Sequence, residues 1–143
     1  MTGRSSGRAN ISMTVAEVDA FLKQRKIVVV VADDPAGPAP VAAIAVANYA
    51  DQVVEVELPS DDPVAVALAG GSRICCIAEQ SPSYYEIKAV IVRGAAEPRA
   101  TADPARRRFG VAIGSPTSFD FGRLPEAAGD GVGGTDGMAG VER

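Results

Sequence analysis

The side chains able to do chemistry are few and fall into small groups. Asp61 and Asp62 are adjacent carboxylates just after Ser60. Cys75 and Cys76 are the two cysteines, also adjacent, and Arg106, Arg107 and Arg108 form a run of cations. Tyr84 and Tyr85 stand close to Lys88. Paired carboxylates can share acid–base work, but Asp62 followed by Pro63 is also a helix cap with proline in the first turn, which has the clearer mechanism. Ser60 either donates to a phosphate or carbonyl or adds a second cap to that helix. The arginine run either binds an anion or lies on a solvated face. Lys88 is either a groove cation or the solvated neighbour of Glu86. Tyr84 and Tyr85 either stack on a ring or sit where two copies meet, a setting that favours aromatic rings. Asn48 ends a strand where a groove could reach it.

What is missing narrows the chemistry more. The chain has no histidine, which removes the commonest general base and metal ligand and every Ser-His or Cys-His nucleophile. In a strand, Cys75 and Cys76 point to opposite faces. That suits neither a shared zinc ion nor a disulfide. It suits two small apolar side chains in a reducing compartment. No metal is expected, and no catalytic residue can be named. Asp120-Phe121-Gly122 spells a kinase word, but no Gly-rich or catalytic loop accompanies it.

The elements that must position these groups follow from periodicity. Thr14 and Glu17 form a capping box, and Val15, Val18, Phe21 and Leu22 share one face, predicting a helix over residues 14–25. The β-branched run 27–32 predicts a strand buried on both sides. Residues 33–38 and Asp51-Gln52 are turns by composition. Between them lies a strand over residues 41–49, with Ala42, Ile44, Val46 and Asn48 on one face. Residues 53–58 alternate, with Val54, Val56 and Leu58 inward and Glu55 and Glu57 outward. A helix from Asp62, with Val64, Ala67 and Leu68 as its stripe, stops at Gly70-Gly71. Strands follow at residues 73–78 and 84–93, and Gly94 suits a bend or bulge. Asp103-Pro104 predicts a short helical segment carrying Arg106 to Arg108, and residues 118–122 a last strand. Residues 1–12 read as a flexible segment, 13–125 as the domain, and 126–143 as a disordered Gly-rich tail. Consecutive antiparallel strands with two small helices predict a mainly β, α+β fold built on a closed or nearly closed barrel.

Composition agrees. The 143 residues are 47% hydrophobic but only 5% aromatic, so Val, Ile, Ala and Leu must build the core. A net charge of −4 weighs against nucleic acid, whose binders show a basic surface. No unbroken run of about 18 apolar residues predicts a membrane span, and Arg4 and Arg8 are followed by no apolar stretch, so no secretory signal is expected. The expected place is the cytoplasm.

Four stretches resemble the pyridoxamine 5′-phosphate oxidase-like family of flavin-binding split barrels. They are the helix Thr14 to Leu22, ending in Phe21-Leu22; the Gly37-Pro38-Ala39-Pro40 turn; the helix after Ser60, where the family keeps a phosphate-contacting loop; and Tyr84-Tyr85-Glu86-Ile87-Lys88-Ala89-Val90, closing at Arg93-Gly94-Ala95-Ala96-Glu97. The resemblance covers residues 13–100. It implies a split barrel, a homodimer, and flavin mononucleotide (FMN) in a groove between subunits, with Ser60, Lys88, Tyr84, Tyr85, Asn48 and Arg73 as candidate cofactor contacts. The reaction implied is a flavin-dependent oxidation or reduction of a small organic substrate, the flavin carrying the chemistry. One departure stands out. Members that hold FMN place a Lys or Arg directly after the serine of this turn, where this chain has Asp61-Asp62. Each carboxylate at 4–6 Å from a phosphate repels it by roughly a few kcal/mol at an effective dielectric near 20. The cations must then come from Arg73, Lys88, Arg93, the run Arg106 to Arg108, or Arg123. The alternative is a split barrel that has lost flavin and works as a small-molecule binding protein or a cofactor-independent enzyme.

Overall fold

In the computed structural model, which describes residues 11–82 and 86–123, the first helix α1 spans Val15–Gln24. Thr14 Oγ1 accepts from Glu17 N–H and Glu17 Oε1 accepts from Thr14 N–H, so the capping box is complete. Val18, Phe21 and Leu22 are buried, but Val15, expected on the same stripe, is 84% exposed. The core reaches only the middle and end of the helix.

Eight strands follow: β1 Ile27–Ala32, β2 Val41–Ala50, β3 Val53–Pro59, β4 Arg73–Gln80, β5 Lys88–Ala95, β6 Glu97–Arg99, β7 Arg106–Ala112 and β8 Thr117–Asp120. The second helix, α2, spans Pro63–Ala69 between β3 and β4. Every strand pair is antiparallel, in the order β6-β7-β3-β2-β1-β4-β5-β8. β5 and β7 also come together, which closes six strands into a barrel and leaves β6 and β8 as outlying strands. Among the described residues no helix is long and apolar enough to cross a membrane.

The β2–β3 hairpin turns at Asp51 and Gln52, with φ of 53° and 65°. Two left-handed residues in a row match the right-handed twist of the paired strands. Val54, Val56 and Leu58 are buried, as their alternation predicts. Asp62 Oδ1 accepts from Val64 N–H at 2.8 Å, with Pro63 in the first turn of α2. α2 packs against β1 and β2 through Val64, Ala65, Ala67 and Leu68.

Three expectations are corrected. β1 is buried on one face only: Val28, Val30 and Ala32 enter the core, whereas Ile27 is 58% and Val29 36% exposed. A uniform β-branched run has no polar alternation to show which face is uncovered. The Arg106–Arg108 segment is a strand, not a helix. Asp103 Oδ1 accepts from Ala105 N–H, and Asp103 C=O accepts from Arg106 N–H at 3.0 Å. Asp103-Pro104 therefore makes a turn, using the residues that also begin helices, and Phe109 and Val111 beyond it enter the core. The last strand ends at Asp120, with one 3-10 turn at Phe121–Arg123. The strand expected over residues 84–93 is described from Lys88 and continues to Ala95. Tyr84, Tyr85 and the proposed terminal segments, apart from residues 11 and 12, lie outside the described residues.

Candidate functional site

β3 ends at Pro59, opposite Arg106 at the start of β7. Ser60 follows, and it reaches across to the turn before β7. Its N–H donates to Ala105 C=O at 2.9 Å and its Oγ donates to Pro104 C=O at 3.1 Å. The hydroxyl proton is thus spent on the turn, and the cap of α2 falls to Asp62 alone. Around this junction Ser60, Arg99, Thr101, Arg106, Arg107 and Arg108 line a cavity of about 260 Å³.

The arginines are held in place. Glu57, outward on β3, accepts from Arg106 Nε at 3.0 Å through Oε2, and from Arg108 Nη2 at 2.9 Å and Nε at 3.3 Å through Oε1. Arg108 first and Arg106 second hold the Glu57 carboxyl below the usual carboxylate range. Arg99 lies over Gly110, where an added Cβ would stand 2.7 Å from its Nε. Its guanidinium is 3.7 Å from Glu55 and 3.6 Å from Glu97. Arg107 is exposed and makes no side-chain hydrogen bond or ion pair among the described residues. Four arginines therefore line one cavity. Such a set binds an oxyanion through several N–H donors. It offers no group for proton transfer.

The other expected residues stand elsewhere. Arg73 pairs with Ala95 and Lys88 with Gln80, at opposite ends of the β4–β5 ladder, roughly 23 Å apart at about 3.3 Å per residue. Lys88 is half-buried opposite Asp120 on β8. Asn48 is exposed on the outer face of β2, opposite Glu55. Of the described candidates, only Ser60 shares a cavity with the arginines. Arg99 was not read from sequence as part of the site. The available signal was the matching outward parity of Glu55 and Glu57 with Arg106 and Arg108.

A second cavity, of about 570 Å³, lies beside α1 and is lined by Met13, Val18, Asp19, Tyr49, Gln52 and Ile113 among others. Tyr49 is 7% exposed, and burial followed by its hydrogen bond to Asp19 pushes its phenol pKa up. Cys75 and Cys76 are free, and burial pushes the Cys76 thiol up to about 12, which keeps it an inert apolar group. Among the described residues no group of three or more His, Cys, Asp or Glu could hold a metal ion.

No family model matches the chain, and no curated protein matches it in sequence. Solved structures do match. A conserved hypothetical protein from Mycobacterium tuberculosis superposes with a TM-score of 0.70 at 19% identity, over 91% of this chain and 98% of that one. The FAD binding protein from Mycobacterium smegmatis gives 0.61 at 14% identity, over 78% of this chain and 99% of that one. A pyridoxamine 5′-phosphate oxidase candidate from Corynebacterium glutamicum gives 0.60 at 10%, over 78% and 96%. The chain has the split-barrel fold. The expected resemblance to pyridoxamine 5′-phosphate oxidase-like proteins holds at the level of architecture. In this split barrel the Ser60 junction is where the expected phosphate-contacting turn meets β7, so the arginines of β7 stand beside a turn that carries no cation of its own.

Proposed function

We propose that this split barrel is a flavin nucleotide-dependent oxidoreductase, working as a homodimer on a small organic substrate, with the cofactor's phosphate end in the Ser60–arginine cavity. One observation carries the reading: Arg99, Arg106, Arg107 and Arg108 gather beside Ser60, so cations stand next to the Asp61-Asp62 turn. The donor set fits a phosphate. Arg107 is uncommitted among the described residues, and Glu57 holds Arg106 and Arg108 by one edge each. Ser60 then acts as a positioning residue that fixes the turn leading into β7. The flavin, when bound, supplies the redox chemistry. The chain supplies binding, orientation and positive potential, which suits a protein without histidine. The likeness in fold to an FAD binding protein supports this.

The test is direct. The purified full-length chain should be yellow and release flavin on denaturation, and added FMN or FAD should raise its melting temperature by mass action. Arg107→Ala should weaken that binding by about tenfold or more. Colourless protein that neither flavin stabilises overturns the reading. A second reading, a flavin-free binding protein, is favoured by the larger cavity at Tyr49 and Asp19. It predicts stabilisation by small organic molecules that Arg107→Ala does not affect.

A further inference from the structure

The larger cavity, beside α1, has one charged side chain among the described residues that line it, Asp19. Its other polar side chains are neutral: the Tyr49 phenol, the Gln52 amide and the Ser118 hydroxyl. Met13, Ala16, Ile113 and Pro116 add an apolar wall, and Val15 joins them while 84% exposed. The helix stripe does not account for a valine in water at this place. A ligand in the cavity would cover it.

Hydrogen bonds between distant segments fix the walls. Met13 N–H donates to Ser118 Oγ at 3.0 Å, which ties the approach to α1 to β8. Ile113 N–H donates to Gln52 C=O at 2.9 Å, which ties the residue after β7 to the β2–β3 turn. The cavity is therefore formed before a ligand arrives, and its volume of about 570 Å³ falls in the range of roughly 300–1,000 Å³ that suits small molecules.

Asp19 has capacity left for a ligand. Tyr49, 7% exposed, donates its hydroxyl to the Asp19 carboxylate, and Lys23 Nζ stands 3.1 Å from Asp19 Oδ2. A carboxylate accepts about four hydrogen bonds, so another donor can join. The Lys23 side chain is 60% exposed, and an i,i+4 pair in such a setting is worth little. It does not keep the carboxylate from a cation enclosed by the cavity.

We infer that this cavity binds a small organic amine, its ammonium on the Asp19 carboxylate beside the Tyr49 hydroxyl and its apolar body against Met13, Ile113 and Pro116. An anionic ligand would meet the Asp19 charge with no cation among the described lining residues to offset it. A wholly apolar ligand would bury the carboxylate without giving it a partner, which is costly. The two cavities then differ in sign, the arginines taking a phosphate and Asp19 an ammonium. Naming the ligand's charge deepens the small-molecule reading of this cavity, on which it rests, and needs no flavin.

Three probes share an indole body and differ in head group: tryptamine, tryptophol and indole-3-acetate. Calorimetric titration of the full chain should rank them in that order, with tryptamine ahead of tryptophol by about fivefold or more. Asp19→Asn should remove that advantage and leave tryptophol binding unchanged. Lys23→Met, which removes the competing ammonium, should tighten tryptamine by about twofold and leave tryptophol unchanged. Ala16→Leu, at an exposed helical position, should weaken all three by filling the cavity, whereas Arg107→Ala should affect none. Tryptamine no tighter than tryptophol, an advantage that survives Asp19→Asn, or tryptamine binding indifferent to Ala16→Leu overturns the inference. If tryptamine and tryptophol bind equally and both yield to Ala16→Leu, the small-molecule reading stands without the ammonium. If no probe binds, or Ala16→Leu affects none, both fall.

Discussion

Gly94 on β5 and Val111 on β7 meet at the seam that closes the barrel: a Cβ placed on Gly94 would stand 3.2 Å from Val111 Cγ2. Val111 is 1% exposed and packed into the core, so it has little room to give. Gly94→Ala should lower the unfolding free energy by about 1 kcal/mol, and Gly94→Val by more, as overpacking spreads β5 from β7. Urea midpoints of the two variants check the order. A stabilised Gly94→Ala would mean that the seam is looser than this contact.

Glu57 ties β3 to β7 through Arg108 and Arg106. Its carboxyl is held below the usual range in the folded state. A depressed folded value means that its contribution is present above the ordinary carboxylate pKa and fades as pH falls through the lower folded value. Acid unfolding of the wild type should therefore fall more steeply below the ordinary carboxylate value than that of Glu57→Gln. The same variant removes a negative charge from the arginine cavity, so inorganic pyrophosphate should bind it more tightly. Circular dichroism against pH and a calorimetric titration read the two effects.

Cys76 has the opposite sign. Burial first, and the neighbouring Cys75 second, raise its thiol from 9.0 to about 12. A raised folded value gives stability that is complete below the unfolded pKa and is lost as pH climbs from 9.0 towards about 12. Stability should fall in that interval with one proton more of slope, about 1.4 kcal/mol per pH unit, in the wild type than in Cys76→Ala. Guanidinium denaturation at a series of alkaline pH values measures it. Equal slopes would show that the thiol ionises as easily folded as unfolded.

Asp61 and Asp62 should behave differently despite their adjacency. Asp62 caps α2, so Asp62→Ala should cost about 1 kcal/mol of stability. Asp61 is exposed, so Asp61→Lys should leave the melting temperature nearly unchanged while strengthening FMN binding. Loss of stability in Asp61→Lys, or weaker FMN binding, would contradict this division of labour.

Gln52 occupies a left-handed position at the β2–β3 turn, which disfavours a side chain by roughly 1 kcal/mol. Gln52→Gly should raise the melting temperature by a few degrees, about what 1 kcal/mol gives in a domain of this size. A lower melting temperature would show that the Gln52 side chain, which also lines the larger cavity, contributes more than the strain removes.

Much of the architecture was legible because its signals are local. The Thr14–Glu17 box, the Val54-Val56-Leu58 alternation and the Asp62-Pro63 cap each lie within one element. The site was less legible because its parts come from separate elements. Ser60 was singled out, but its partners Pro104 and Ala105 lie in a turn that reads equally as a helix start. Arg73, Lys88 and Asn48 looked equivalent to it in sequence, and the ladder registers set them apart.

The sequence alone settles which residues share a face, because side chains alternate strictly along a strand. It also settles what chemistry is missing, since no histidine is present to move protons. Tertiary structure decided which of two faces meets the core, leaving Ile27 and Ile44 in solvent, and which distant strands lie side by side, setting Glu57 between Arg106 and Arg108. The reason is physical. Alternation is a property of one strand, whereas burial and pairing depend on where the rest of the chain closes around it.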